Sequence, residues 1–411
     1  MIRQYTLAPD ADPWWVRAMQ VDTLILGAGA AGMMCAAQAG PSTLIIDHAK
    51  SPGEKIRISG GGRCNFTNMH TEPARLLGAN PHFHKSALSR YTQWDFIELV
   101  DRHKIAWHEK TLGQLFCDDK ATQIVEMLRS ELLSAGAQLW LGTSVVDLSH
   151  DGTRFTAMLE RDGKRHSVTA RNLILATGGK SIPKMGATGF AYDIARQFGH
   201  QITDTRPALV PLTFSDQRFA PISGVATDVM AEANGTVFEE ALLFTHRGLS
   251  GPAVLQISSY WAEGDAITVN LLPHQDIAST LKTARQTQGK RNVTTALAEV
   301  LPERLVTHLS GDLPLSGNVG DLSDKRIDEI SDRLRHWRLT PTGSEGYRTA
   351  EVTLGGISTD RIDSKTMMSR EVPGLFMIGE AVDVTGWLGG YNFQWAWSSG
   401  VAAGRAIRER A

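Results

Sequence analysis

Residues Val21 to Gly32 read VDTLILGAGAAG, and this stretch decides the fold. An apolar run breaks into three glycines spaced Gly27-x-Gly29-x-x-Gly32, and the chain continues as MMCAAQA, a good helix former. The pattern predicts a strand, a tight turn and a helix. The first glycine lets the chain turn off the strand, the second removes a side chain where a pyrophosphate must touch backbone, and the third lets the helix pack close to the sheet. Ala30 and Ala31 complete the turn, whose unpaired N–H groups and positive dipole end suit phosphate. A second apolar run, Leu44-Ile45-Ile46, ends in Asp47, where a ribose hydroxyl acceptor is expected.

Working outward, the 411 residues exceed one ordinary domain and suit two or three. Basic and acidic groups balance at 42 against 44, which gives no electrostatic footprint for nucleic acid or an anionic membrane, so a small-molecule partner is expected. Cys35, Cys64 and Cys117 are widely spaced with no CxxC pair, so neither a disulfide framework nor a zinc site is indicated and a reducing cytoplasm fits. The apolar stretch Leu24 to Gly40 carries too many glycines, and is too short, to be read as a membrane span. Residues 1–18 lack an apolar core and read as an N-terminal arm, whose Trp14 and Trp15 could dock on the body of the protein.

Past Asp47 comes KSPGEKIRISGGGRCNFTN, in which Ser59, Gly60, Gly61, Gly62, Arg63, Cys64 and Asn65 form a glycine-rich run that implies close approach to something flat or tight. Residues 84–105 and 122–135 read as helices by their apolar spacing, and 138–146 as a strand, near whose end Val145 is a candidate cofactor contact. Hairpin turns are expected at Asp151-Gly152 and Asp162-Gly163. The run NLILATGG then ends in a second glycine turn made of Ala176, Thr177, Gly178 and Gly179.

From 201 to 346 the character changes to short β-like runs followed by a polar helical stretch, read as an inserted domain. Its portion 273–345 holds ten Lys/Arg and ten Asp/Glu, so it is neutral. The expected architecture is therefore α/β: a split Rossmann-like domain, 19–200 and 347–411, around a β-rich and helical insert. The return begins with LFMI and stops at Gly379-Glu380, and Gly389-Gly390-Tyr391-Asn392 then opens the last helix. A fold with strand, carboxylate and helix supplied from opposite ends of the chain favours FAD over a nicotinamide cofactor. Glu380 suits a ribityl hydroxyl, and the helix opening suits the pyrimidine end of a flavin.

The blocks GAGAAGMMCAAQAG, ISGGGRCNFTN, HEKTLGQLFCDD, LILATGGKSIPKMGATGFAY, LLFTHRGLSGPAVLQISSYW, GYRTAEVTLGGI and PGLFMIGEAVDVTGWLGGYNFQWAWSSG together resemble the HI0933-like (YhiN/BaiN-type) flavoproteins. The resemblance runs from about residue 20 to the C-terminus. It implies non-covalent FAD, redox chemistry and an interrupted Rossmann domain; relatives are linked to reduction of conjugated double bonds in steroid-like acids and to oxidation of a small aminoketone. Three features depart from the family pattern: a short Gly32–Asp47 spacing, Glu54 in place of an arginine, and the cations Lys180 and Lys184.

Flavin takes up electrons itself, so neither a metal nor a nucleophile is required of the protein. The thirteen histidines contain no ligand-spaced set. His246 and Arg247 in FTHRGLSGP are the substrate-side candidates, expected to face the flavin from the insert, and Tyr391 is the candidate proton donor. No second GxGxxG follows a strand, so electrons are expected from a transiently docked NAD(P)H or from the substrate. These features suggest NAD(P)H-linked reduction of an activated C=C bond in a small molecule. The alternatives are an oxidase of a small amine or aminoketone and, from another class, an RNA-modifying or RNA-binding flavoprotein, against which the neutral insert argues.

Overall fold

The computed structural model describes residues 17–410. The arm expected over 1–18 lies outside the described residues up to position 16, and Arg17 opens the first strand. The chain divides into two compact units: one takes the described residues up to Gly179, then Met185–Thr205 and everything from Gly355 onward, and the other takes Lys180–Lys184 and Arg206–Leu354. The sequence expectation drew the bounds of the insert at 201 and 346.

In the first unit the strand Arg17–Leu26 lies between Thr43–Ile46 and Lys164–Leu175, parallel to both. Gln138–Trp140 extends the sheet beyond Thr43–Ile46, and Leu375–Met377 pairs with the end of Lys164–Leu175, again in parallel. Leu24, Ile25 and Leu26 are essentially fully buried, whichever way their side chains point. A sheet covered on both faces requires such unbroken apolar runs, which explains why these strands do not alternate with polar residues. One covering layer pairs the helix Ala30–Ala39 with the last helix, Tyr391–Arg410. A Cβ on Gly400 would stand 2.6 Å from the Ala31 carbonyl oxygen, and one on Gly404 would stand 2.6 Å from that of Cys35. The two helices touch through their backbones there.

Two sequence expectations change in detail. Residues 84–105 form two helices, Lys85–Arg90 and Gln93–Arg102, because Thr92 and Asp95 close a capping box that starts a new helix. The stretch 138–146 is broken at Gly142, which takes φ +59°. Gln138–Trp140 stands at one edge of the sheet, and Thr143–His150, which carries Val145, at the other. Hairpins join Thr143–His150 to Phe155–Arg161 and the latter to Lys164–Leu175.

The second unit carries a seven-stranded sheet whose pairings are all antiparallel, in the order Trp337–Leu339, Ile267–Asn270, Ala226–Ala233, Thr236–Phe244, Gly248–Ser250, Leu212–Thr213, Gly343–Ser344. Asn234 and Gly235, at φ +47° and +79°, make the two-residue turn of its central hairpin. Helices Ile277–Thr287 and Asp324–Arg335 begin at Asp276 and Ser323, whose side chains accept from backbone N–H groups of the first turn. This is the mixed α/β architecture that the sequence implies.

Candidate cofactor and active site

The carboxyl ends of the first unit's parallel strands converge at the GAGAAG turn. Gly27 takes φ +107°, and a Cβ there would lie 2.5 Å from the Ala176 carbonyl oxygen. A Cβ on Gly32 would lie 1.9 Å from the Gly27 oxygen. Gly29 differs from both, since a Cβ there would meet nothing within 4 Å. The protein itself needs glycine at 27 and 32. At 29 no protein atom calls for glycine, and the open space there is room that a bound pyrophosphate could occupy.

Asp47 closes the turn from the neighbouring strand. Its Oδ2 accepts from the Ala28 N–H at 2.7 Å and its Oδ1 from the Ala49 N–H at 2.9 Å. The carboxylate thus orients the phosphate turn and retains lone pairs for a ribose hydroxyl. Across the sheet, Thr177 Oγ1 is buried with no hydrogen-bond partner among the described residues. Such an orphaned hydroxyl costs about 1–3 kcal/mol unless a ligand pairs it. Gly178, at φ +73°, approaches Glu380, whose Oε2 would stand 3.9 Å from a Cβ at that position. Gly379 lies against Ala31 and donates its N–H to Ser399 Oγ at 3.0 Å. The turn after the first strand, the turn after Leu175 and the C-terminal return therefore meet, as the sequence reading expects of a split Rossmann domain.

The glycine-rich run is the end of a helix, Glu54–Gly62, that kinks at Ser59–Gly61. Gly60 and Gly61 are left-handed, and a Cβ on Gly61 would meet nothing within 4 Å. Arg63 is exposed. Cys64 takes φ +52° and is fully buried, so burial pushes its thiol pKa up and the side chain is directed into the core. The Asn65 side-chain amide lies 3.0 Å from that of Gln114.

The opening of the last helix sits on this same segment. Asn68 Nδ2 donates to the Gly389 carbonyl at 2.8 Å and to the Leu112 carbonyl at 3.1 Å. A Cβ on Gly390, at φ +99°, would meet the Thr67 carbonyl oxygen at 2.4 Å. Asn392 spends its side chain on the loop before the helix, accepting from the Gly386 N–H at 2.8 Å and donating to the Gly386 carbonyl at 2.9 Å. Tyr391 is 3 % exposed, with the Arg75 guanidinium 5.9 Å from its ring centre and 5.1 Å from that of Trp387. His246 and Arg247 belong to the second unit; both are exposed, and Arg247 Nη1 pairs with Glu345 Oε2 at 3.0 Å.

Sequence reasoning missed Lys55, Asn68, Arg75 and Gln114. Lys55 Nζ lies 2.6 Å from Glu380 Oε2. Lys55, Asn68 and Gln114 sit in or beside the glycine-rich and LGQLF blocks, but their partners are far away in sequence. Nothing local announces them.

The residues fit a flavin dinucleotide: a turn with open space only at its central glycine, a ribose-side carboxylate, an unpaired threonine hydroxyl and a glycine-opened helix. Among the described residues no group of His, Cys, Asp and Glu could hold a metal ion, and no helix is long and apolar enough to cross a membrane.

The chain is 51% identical over 398 residues to an Escherichia coli (strain K12) protein named ribosomal RNA dihydrouridine synthase, covering 94% of this chain and 98% of that one. It is 30% identical over 418 residues to a Clostridium scindens 3-dehydro-bile acid delta(4,6)-reductase, covering 94% and 98%. A 3-ketosteroid-delta4-(5alpha)-dehydrogenase from Rhodococcus jostii RHA1 shares its fold at 15% identity and TM-score 0.52, over 95% of this chain and 97% of that one. The model for the HI0933-like protein Rossmann domain matches residues 21–406. With that match over nearly its whole described length and a site shaped for FAD, this chain belongs to the HI0933-like family and is an FAD-dependent oxidoreductase.

Proposed function

We propose that the protein saturates the C5=C6 bond of a uracil ring in ribosomal RNA, using FAD and a transiently docked NAD(P)H. The observation that carries this reading is the 51% identity across 94% of the chain to the E. coli protein of that name. The 30% relative is named as a reductase of a double bond in a keto bile acid, so both names describe loss of a C=C bond conjugated to a carbonyl. Reduction of an activated C=C bond is the chemistry expected from the sequence. The expected absence of a nucleic-acid partner is set aside here, because that expectation rested on whole-chain and insert charge balance, which averages over local clusters.

The balance is simple: NAD(P)H and one proton are consumed, NAD(P)+ is released, and the ring gains two electrons and two protons. FAD, when bound, supplies the two-electron chemistry. Gly27, Gly29 and Gly32 would hold its pyrophosphate, Asp47 a ribose hydroxyl, and Glu380, fixed by Lys55, the ribityl chain. The opening at Gly389-Gly390, held by Asn68, would direct N–H groups at the pyrimidine end. A proton must reach one ring carbon of the substrate, and Tyr391, at the first turn of that helix, is the donor we assign. His246 and Arg247 are assigned to the substrate.

Deleting the gene and digesting ribosomal RNA to nucleosides tests the reading. Dihydrouridine should disappear from the deletion strain and return with the intact gene. Unchanged dihydrouridine, together with bleaching of the purified flavoprotein by a small enone, would favour the small-molecule reading that the bile-acid relative supports.

A further inference from the structure

In the second unit two short strands flank Leu212–Thr213: Gly248–Ser250 on one side and Gly343–Ser344 on the other. The loops leading from them are fixed by backbone bonds, with the Phe214 N–H on the Arg247 carbonyl at 2.9 Å and the Glu345 N–H on the Pro211 carbonyl at 3.0 Å. This pairing brings two arginines distant in sequence onto one carboxylate oxygen. Arg247 Nη1 and Arg348 Nη2 each lie 3.0 Å from Glu345 Oε2.

Exposure differs sharply within this trio. The Glu345 side chain is 12% exposed, whereas those of Arg247 and Arg348 are 47% and 62% exposed. The carboxylate is thus the inner anchor, and the guanidiniums turn toward water with most of their five N–H donors unspent. The pairing neutralises a carboxylate largely withdrawn from water and leaves the outer faces of both guanidiniums in solvent. As a presentation of pre-oriented, bidentate-capable cations it suits phosphate.

Two more cations join it. The segment Lys180–Lys184 belongs to this unit and is tied to the same loop by the Ile182 N–H on the Tyr347 carbonyl at 2.8 Å. Lys180 Nζ lies 6.0 Å from the centre of the Tyr347 ring, and Lys184 is exposed. Segments 180–184, 245–248 and 343–351 together hold four Lys/Arg, two Glu and His246, a net +2 before any histidine protonation, in a chain whose net charge is −2.

We infer that this face of the second unit binds phosphodiesters of the RNA substrate. The inference rests on the ribosomal RNA reading above and adds where the backbone is held. Arg247 and Arg348 grip phosphate oxygens, and Lys180 and Lys184 lengthen the contact along the strand. Phosphate contacts of this kind position RNA without reading its sequence.

The test uses the FAD-loaded full chain and protein-free ribosomal RNA, with binding measured across a salt series for wild type, Lys184→Gln, Arg348→Gln and the double variant. The double variant should bind on the order of tenfold more weakly at fixed salt, and its log–log salt slope should be shallower by about 1.4–1.8, or about 0.7–0.9 per lost contact. The single variants should fall between. FAD content and thermal midpoint should match wild type, and Lys184, being exposed, gives a readable single variant if the others fold poorly. Wild-type affinity and slope in folded variants would overturn the inference. A raised KM for NADPH but not NADH, with RNA binding intact, would also overturn it by assigning the patch to a dinucleotide phosphate. Failure of the function reads differently: wild type would form no dihydrouridine, whatever the binding arm returned.

Discussion

Lys55 Nζ and Glu380 Oε2 lie 2.6 Å apart although 325 positions separate them in the chain. Their side chains are 32% and 18% exposed, so the pair is partly withdrawn from water. It joins the helix after the second strand to the C-terminal return. Glu380→Ala should weaken FAD binding by about ten- to a hundredfold, corresponding to roughly 1.5–3 kcal/mol for hydrogen bonds to a charged group. Lys55→Met should weaken it less, because the carboxylate stays. FAD titration of the apoprotein decides this, and wild-type affinity in Glu380→Ala would remove the residue from the site.

Gly29 and Gly32 should respond in opposite ways to the same substitution. Gly29→Val meets no protein atom within 4 Å of the new Cβ, so the variant should fold with a near-native thermal midpoint and purify without flavin. Gly32→Val would drive a Cβ to 1.9 Å from the Gly27 oxygen and should not fold stably. Flavin retained at full occupancy in Gly29→Val would argue against pyrophosphate at that turn.

Tyr391→Phe should keep FAD and its reduction by NAD(P)H while turnover of the oxidising substrate falls by about 10²–10⁴, the usual contribution of a positioned proton donor. Stopped-flow measurement of the two half-reactions separates them. An unchanged oxidative half-reaction would leave Tyr391 a packing residue under Arg75.

The glycines that open the last helix are poor positions for an electrostatic test, since both have positive φ and a Cβ on Gly390 would strike Thr67. Asn68 is the better probe. Asn68→Asp removes the donor to Gly389 and places negative charge at the helix opening, so bound flavin should become harder to reduce, on the order of tens of millivolts. Equal potentials in a flavin-loaded variant would deny the helix opening an electrostatic role.

Stability should fall on the acid side of about pH 6.5, the ordinary histidine pKa. His84 and His200 are 0% and 3% exposed, and burial lowers both pKa values. Their folded forms are neutral, so the unfolded chain binds more protons as pH drops from the ordinary value through the lowered ones, and stability is lost across that window. His200→Gln, which can still reach Ser369, should flatten the fall in thermal midpoint between pH 7 and 5. An identical pH profile in the variant would show that His200 does not contribute.

The nucleotide turn, the buried parallel strands and the split of the Rossmann domain were legible in the sequence because each is written in neighbouring residues: glycine spacing for the turn, unbroken apolar runs for covered strands, and a second strand–Gly–Glu block for the return. Breaks inside elements were less legible. Nothing in the apolar spacing of 84–105 or 138–146 revealed that Thr92 starts a new helix or that Gly142 sends the chain from one sheet edge to the other.

By itself, the sequence determined that this chain folds around a dinucleotide and that the dinucleotide is FAD, since local backbone requirements and a recurrent order of blocks suffice for both. Tertiary structure alone decided which side chains hold which. Lys55 meets Glu380, Asn68 holds Gly389, and Arg247 and Arg348 share Glu345 only because sheet pairing and helix packing bring distant segments within a few ångströms. Charge shows the same division: a sum over the chain cancels to −2, whereas the strands flanking Leu212–Thr213 gather cations on one face. Electrostatic recognition acts over about 8 Å at physiological salt, so it follows proximity in space, which composition does not contain.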